Sequence, residues 1–311
     1  MIRFWVVLGL GIATLTFWKN AQAQQPVTSF SGVTLFYEGS LLRSRMTYTI
    51  KSQLLRDGTE VPDPLNRRLS AIVVPNNIGY GITSNLSVVA NIPFVSKKLQ
   101  STDAGQRTTL STSGIGDILL SAKWRFLKID GYRRTMQLAL IGALELPTGS
   151  DDAGDASGNL LPPSLQVGSG SYDFLAAFSA TQVLGRSSIN GSLGYRVNTK
   201  GGQDFRAGNV FIYTFVANHR VWHKKFPGPE LGLAIELNGE VVAHALSQGT
   251  RLDNTGGHSI FLAPAVFFNV RPYFTLEFAV QFPVLQNLYG EQLGVDRKFV
   301  GGVFFLFDFF L

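Results

Sequence analysis

The sequence predicts an all-β fold, a closed antiparallel transmembrane β-barrel of about twelve strands with short periplasmic turns and long extracellular loops. Three observations predict it. Apolar and polar residues alternate with a period of two in segments about ten residues long. The gaps between these segments alternate short and long. The chain closes on a strongly aromatic strand.

At the N-terminus Arg3 precedes an apolar run from Phe4 to Trp18, followed by Lys19 and the small-residue pattern Ala21-Gln22-Ala23. These are the parts of a secretory signal peptide, residues 1–23, with cleavage expected after Ala23. Residues 24–40 read as a short N-terminal periplasmic segment, and 41–311 as the barrel. The sequence has no cysteine, which excludes a lipid anchor, a disulfide framework and a thiolate metal site.

The first two strands, near Leu42–Lys51 and Leu69–Ile82, carry the weakest alternation. The third sets Leu86, Val88, Ala90, Ile92 and Phe94 against Ser87, Asn91 and Pro93. From Asp117 to Phe126 the even positions Ile118, Leu120, Ala122, Trp124 and Phe126 oppose Asp117, Leu119, Ser121, Lys123 and Arg125. Successive side chains of a strand point to opposite faces, so one face here is apolar and the other mostly ionic.

The pattern recurs with Ile189, Leu193, Tyr195 and Val197, with Leu233, Ile235, Leu237 and Val241, and with Phe274, Leu276, Phe278, Val280 and Phe282. At the C-terminus Val303, Phe305, Phe307, Phe309 and Leu311 form one apolar face, in the place where bacterial outer-membrane proteins carry the strand read by the barrel-assembly machinery. Leu311 departs from the usual terminal aromatic residue.

A soluble β-sandwich also alternates. Strand length separates the two, because crossing a bilayer at a tilt takes about ten residues whereas soluble strands commonly have about half that. Short gaps fall around Thr83–Asn85, Ile129–Tyr132, Gly185–Ser187, His223–Glu230 and Arg271–Pro272. Long polar ones span Leu54–Asn66, Ser96–Ser113, Pro147–Gly170, Thr199–Ala207, Ser247–Gly257 and Asn287–Asp296. The net charge is +6, but the basic residues are scattered singly through apolar alternation, which speaks against nucleic acid as a partner.

Several stretches resemble the outer-membrane family labelled "MetA-pathway of phenol degradation": Gly114-Ile115-Gly116-Asp117 running into SAKWRFL, LELPTGS at Leu144–Ser150, GSGSYDF at Gly168–Phe174, and NGSLGYRVN at Asn190–Asn198. The resemblance implies a barrel of this size and the uptake of small aromatic or other apolar solutes across a membrane of lipid and lipopolysaccharide. It brings no cofactor and no catalytic residues.

On the alternation, the polar parity converges on the lumen. The candidate pore-lining residues are Asp117, Lys123, Arg125, Glu145, Asp173, Arg196, Arg220, Glu236, Glu240 and Glu277. Charges so placed either select solutes or pair across strands and fill the barrel. Val210, Ile212, Val216, Phe261 and Phe267 share that parity and form either an apolar path or a packed plug. A lumen closed by such pairing, with function in the outer loops, is the structural alternative.

Asp151, Asp152 and Asp155 lack the spacing of a calcium loop and read as solvated acids. A membrane-embedded hydrolase would need an oriented histidine. The pattern places His244 and His258 near the outer rim, and neither stands in a recognisable catalytic motif. The sequence carries no nucleotide-binding loop, so flux is expected to run down a gradient.

Overall fold

The computed structural model describes residues 26–225 and 227–308. The signal peptide expected at 1–23 and the terminal Leu311 lie outside the described residues. Twelve staves form the wall: β1 (Gly39–Lys51), β2 (Arg68–Thr83), β3 (Leu86–Asp103), β4 (Gln106–Ile115 continued by Ile118–Gly131), β5 (Arg134–Leu146), β6 (Asp173–Leu184), β7 (Ser187–Val197), β8 (Val210–His223), β9 (Glu230–Val242), β10 (Gly257–Arg271), β11 (Phe274–Leu288) and β12 (Arg297–Asp308). Each pairs antiparallel with its neighbours in sequence, and β12 pairs with β1 from Gly39↔Asp308 to Ile50↔Arg297, closing the sheet. Closure leaves the wall without a free edge below Ile115, the condition for strands to stand in lipid, while Gln106–Ile115 pairs only with β3.

Parity separates the two faces as the alternation predicts. Phe278 is 51% exposed while its neighbour Glu277 is 8%, and Leu193 is 52% exposed beside Ser192 at 4%. Leu120 and Trp124 lie on the same outer face. Short turns at 84–85, 132–133, 185–186 and 272–273 join the strands at the end where β1 begins.

One departure from the sequence expectation concerns length. Ser96–Ser113 is not a loop: β3 runs on to Asp103, turns at Ala104-Gly105 and returns as the first part of β4, paired from Phe94↔Ile115 to Asp103↔Gln106. With β2, these strands project as an arm beyond the long-loop end of the wall. Its outward side chains turn polar above Phe94 and Ile115, which is why the segment reads as a loop in the sequence.

Pro75 and Pro93 are register partners on β2 and β3. Neither has an N–H for the ladder. Pairing of β1 with β2 skips from Ser44↔Asn76 to Thr47↔Val73, and pairing of β3 with β4 breaks between Asn91↔Leu119 and Phe94↔Ile115. The Asn76 side chain repairs part of the loss, donating from Nδ2 to the carbonyls of Val74 and Ile92 at 3.1 Å each and accepting from Ser44 Oγ at 2.8 Å.

Candidate functional site: the lumen and the segment that crosses it

Residues 26–38 do not stand outside the barrel as a periplasmic segment, which corrects the sequence expectation for 24–40; they run through the lumen. Val27 donates its N–H to Glu236 Oε1 at 2.6 Å, and Thr28 donates its N–H to Oε2 at 2.8 Å and its hydroxyl to the same oxygen. The carbonyls of Pro26 and Val27 accept from Arg43 and Arg45. Further along, Gly32 donates to Thr181 Oγ1 at 2.9 Å, Val33 O accepts from Lys123 Nζ at 3.2 Å, and Thr34 Oγ1 donates to Ser84 O in a periplasmic turn at 2.9 Å. Glu38 N then joins Gly81 O as β1 begins.

The segment therefore enters at mid-height beside β9 and descends to the periplasmic rim. Irregular backbone without a sheet partner leaves polar groups unpaired, and inward side chains satisfy several of them. A Cβ at position 32 would lie 2.9 Å from Gln137 O and 3.3 Å from Thr181 Oγ1, so the close approach to the wall requires glycine.

Apolar contacts complete the seal. Val27 is fully buried in a cluster with Val216, Ala234, Ala265, Phe267, Ala279 and Val300, and Leu35 packs with Leu41 and Leu306. Val216 and Phe267 thus serve as seat for the segment. Beneath it Arg43 holds Glu277 with two hydrogen bonds, 2.9 and 2.6 Å, while Arg45 Nε lies 3.8 Å from the same carboxylate.

The other charged candidates except Glu240 have structural partners. Arg125 donates to Asn85, Ser84 O and Gln137 at the periplasmic rim, and Arg220 bridges Glu230 and Gly185 O there. Arg196 meets Glu145 at 3.5 Å. Asp117 accepts from the backbones of Gly149 and Ser169, and Asp173 from Ser171 Oγ and Thr199 N, so both acids tie down outer loops. Phe261 is buried, with the Lys298 ammonium 4.1 Å from its ring centroid.

The outer half of the lumen differs. Lys51 and Lys298 point inward, with Glu240 in electrostatic range of both, yet among the described residues neither lysine has a carboxylate within ion-pair distance. Lys97 donates to the carbonyls of Ser164 and Gln166, drawing the 147–172 loop over the mouth, where Leu161 and Leu165 are buried. The sequence reading missed Arg43, Arg45, Lys51, Lys97 and Lys298. On β1 the signal was available in the spacing of Arg43 and Arg45 against the outward Leu42 and Met46, but the strand's remaining alternation is weak.

His244 and His258 have separate partners. His258 Nε2 meets Tyr213 OH at 2.8 Å, and His244 stacks on Tyr289 with Arg251 at its Nε2.

A closed twelve-stranded wall, apolar outside and polar inside, defines an outer-membrane β-barrel protein. More narrowly, this chain belongs to the family described as "Putative MetA-pathway of phenol degradation", which it matches over residues 72–293. Among solved structures it is similar to the COG4313 outer membrane channel from Pseudomonas putida F1, with 14% identity, 91% of this chain and 100% of that chain covered, and a TM-score of 0.70. A more distant likeness links it to the CymD monoaromatic hydrocarbon channel: 11% identity, 88% and 89% coverage, TM-score 0.41. Comparison with curated proteins returned no match.

Proposed function

We propose that the protein is an outer-membrane channel for the passive passage of small apolar or aromatic compounds. The observation that carries this reading is the lumen itself, a closed wall holding inward Val95, Ile141 and Leu175 among charged groups and stoppered by a single irregular segment instead of a folded domain. A barrel that only filled its interior would need no segment threaded through it. The family's description and the similarity to a named outer-membrane channel support the same reading.

The segment is held by side-chain hydrogen bonds and apolar contacts and not by a sheet ladder, and passage then depends on its displacement. Solute flux through the purified protein in liposomes tests the proposal, comparing toluene-like neutral aromatics, aromatic acids and sugars. Aromatic flux above that of empty liposomes, with sugars slower, is the expected result. Flux equal to that of empty liposomes for all three would favour a structural barrel, and equal passage of all three a general porin.

We also propose that the barrel carries no catalytic centre, since His244 and His258 are engaged with Arg251, Tyr289 and Tyr213 and not with a nucleophile. Loss of a lipase or esterase activity on replacing either would refute this. Export by cleavage after Ala23 remains the expectation from the N-terminal sequence, and mass spectrometry of the mature protein tests it.

A further inference from the structure

The arm formed by β2, β3 and β4 has an outward face whose composition changes abruptly with height. Its lower part is apolar: Ile72, Val74, Phe94 and Ile115, continuous with the lipid-facing belt of the barrel. The upper edge of that belt is marked by Tyr48 on β1, which stacks on Phe299 with ring centroids 6.5 Å apart, the arrangement of an interfacial aromatic girdle. Tyr48 lies in register with Ile72, and Ile72 with Ser96.

Above that row the same face carries three cations. Lys98 stands two residues beyond Ser96, and Arg68 is the register partner of Gln100, two residues further. Arg107 is the partner of Thr102, two further still. At a rise of about 3.3 Å per residue they are spread over roughly 7–20 Å of strand beyond the girdle. All three are exposed. Among the described residues none of their side chains has a hydrogen bond or an ion pair. The one acidic residue on this part of β3 and β4, Asp103, has the opposite parity.

None of the three is the register partner of another, so they form a spread of exposed cations on one face, complementary to an extended anionic surface. Its height fixes what that is: the headgroup layer immediately outside the hydrocarbon core at the cell-surface end. We propose that Arg68, Lys98 and Arg107 form a binding site for the phosphates of lipid A in the outer leaflet. Guanidinium groups give forked hydrogen bonds to phosphate oxygens and the lysine ammonium adds a point charge, while Phe94 and Ile115 lie below against the acyl chains. The inference rests on the outer-membrane location and not on the solute that the lumen passes.

Binding of the full-length barrel to diphosphorylated lipid A in bicelles, measured against dephosphorylated lipid A, tests it. The wild-type protein should prefer the phosphorylated form. The combined variant Arg68→Gln, Lys98→Gln, Arg107→Gln should lose that preference, with about a fivefold drop in affinity for each charge removed. The charge-preserving variant Arg68→Lys, Lys98→Arg, Arg107→Lys should keep it, which separates loss of charge from loss of fold. Equal binding of the two lipids by the wild type, or an unchanged preference in the glutamine variant, would overturn the proposal. Equal affinity for phosphatidylglycerol and diphosphorylated lipid A would also overturn it, reducing the face to a non-specific anionic contact. Since aromatic flux is a separate readout, failure here leaves the channel reading standing.

Discussion

The two halves of the lumen differ most along β1 and β12, since elsewhere in the outer half Arg196 meets Glu145 and Lys97 is bonded to loop carbonyls. In the periplasmic half nearly every charge has a partner: Arg43 with Glu277, Arg220 with Glu230, and Glu236 with the backbone of the inserted segment. In the outer half Lys51 and Lys298 face the lumen with no carboxylate in ion-pair contact. The strands are alike in both halves, so the difference lies in what the inward parity carries. A packed, fully paired interior holds one geometry, whereas unpaired cations beside an aromatic ring leave room for a solute to exchange with water.

The comparison breaks most sharply at Glu277. Glu277→Ala leaves the Arg43 guanidinium buried and unpaired, and breaking a buried pair in this way costs about 3–5 kcal/mol. The unfolding midpoint of the detergent-solubilised barrel should fall accordingly. Glu236→Ala removes both carboxylate oxygens from Val27 and Thr28, a loss of about 1.5–3 kcal/mol from hydrogen bonds to a charged group. That loss should appear as protease sensitivity of residues 26–38, with the wall itself intact.

In the outer half Lys51→Gln should change stability by no more than about 0.5 kcal/mol, because no ion pair is broken. A large destabilisation there would erase the contrast between the halves. The smallest effect belongs to the 147–172 loop. Hydrogen bonds from the backbone N–H groups of Asn159 and Ser157 hold the Asp155 carboxyl below its ordinary value. The bonded loop is therefore favoured above the ordinary carboxylate range, and that advantage disappears as pH falls through the lowered value. Amide exchange at Ser157 and Asn159, corrected for the intrinsic pH dependence, should become faster relative to neighbouring loops only in acid.

Much of the wall was legible in the sequence because lipid on one side and a lumen on the other impose a strict period of two. Trp124 and Lys123, or Phe278 and Glu277, announce their faces by type alone. Ser96–Ser113 misled for the same reason: once a strand rises above the lipid its outward side turns to serine and threonine, and the contrast that marks a strand disappears. The inserted segment was not legible. Its Ser and Thr residues, mixed with Val27, Phe30, Leu35 and Phe36, show no sustained alternation, and its position is set by contacts far away in sequence, Val27 with Glu236 and Gly32 with Thr181. Whether each candidate charge is paired depends on strands that meet only when the barrel closes, as with Arg43 and Glu277.

Single-channel conductance in planar bilayers tests most directly whether residues 26–38 close the periplasmic half. The wild-type barrel should show small currents, and a variant lacking residues 26–36 should conduct several-fold more, with Glu236→Ala giving brief openings to the same level. Equal conductance of the wild type and the deletion variant would contradict the account, placing the barrier to passage in the wall or in the outer loop.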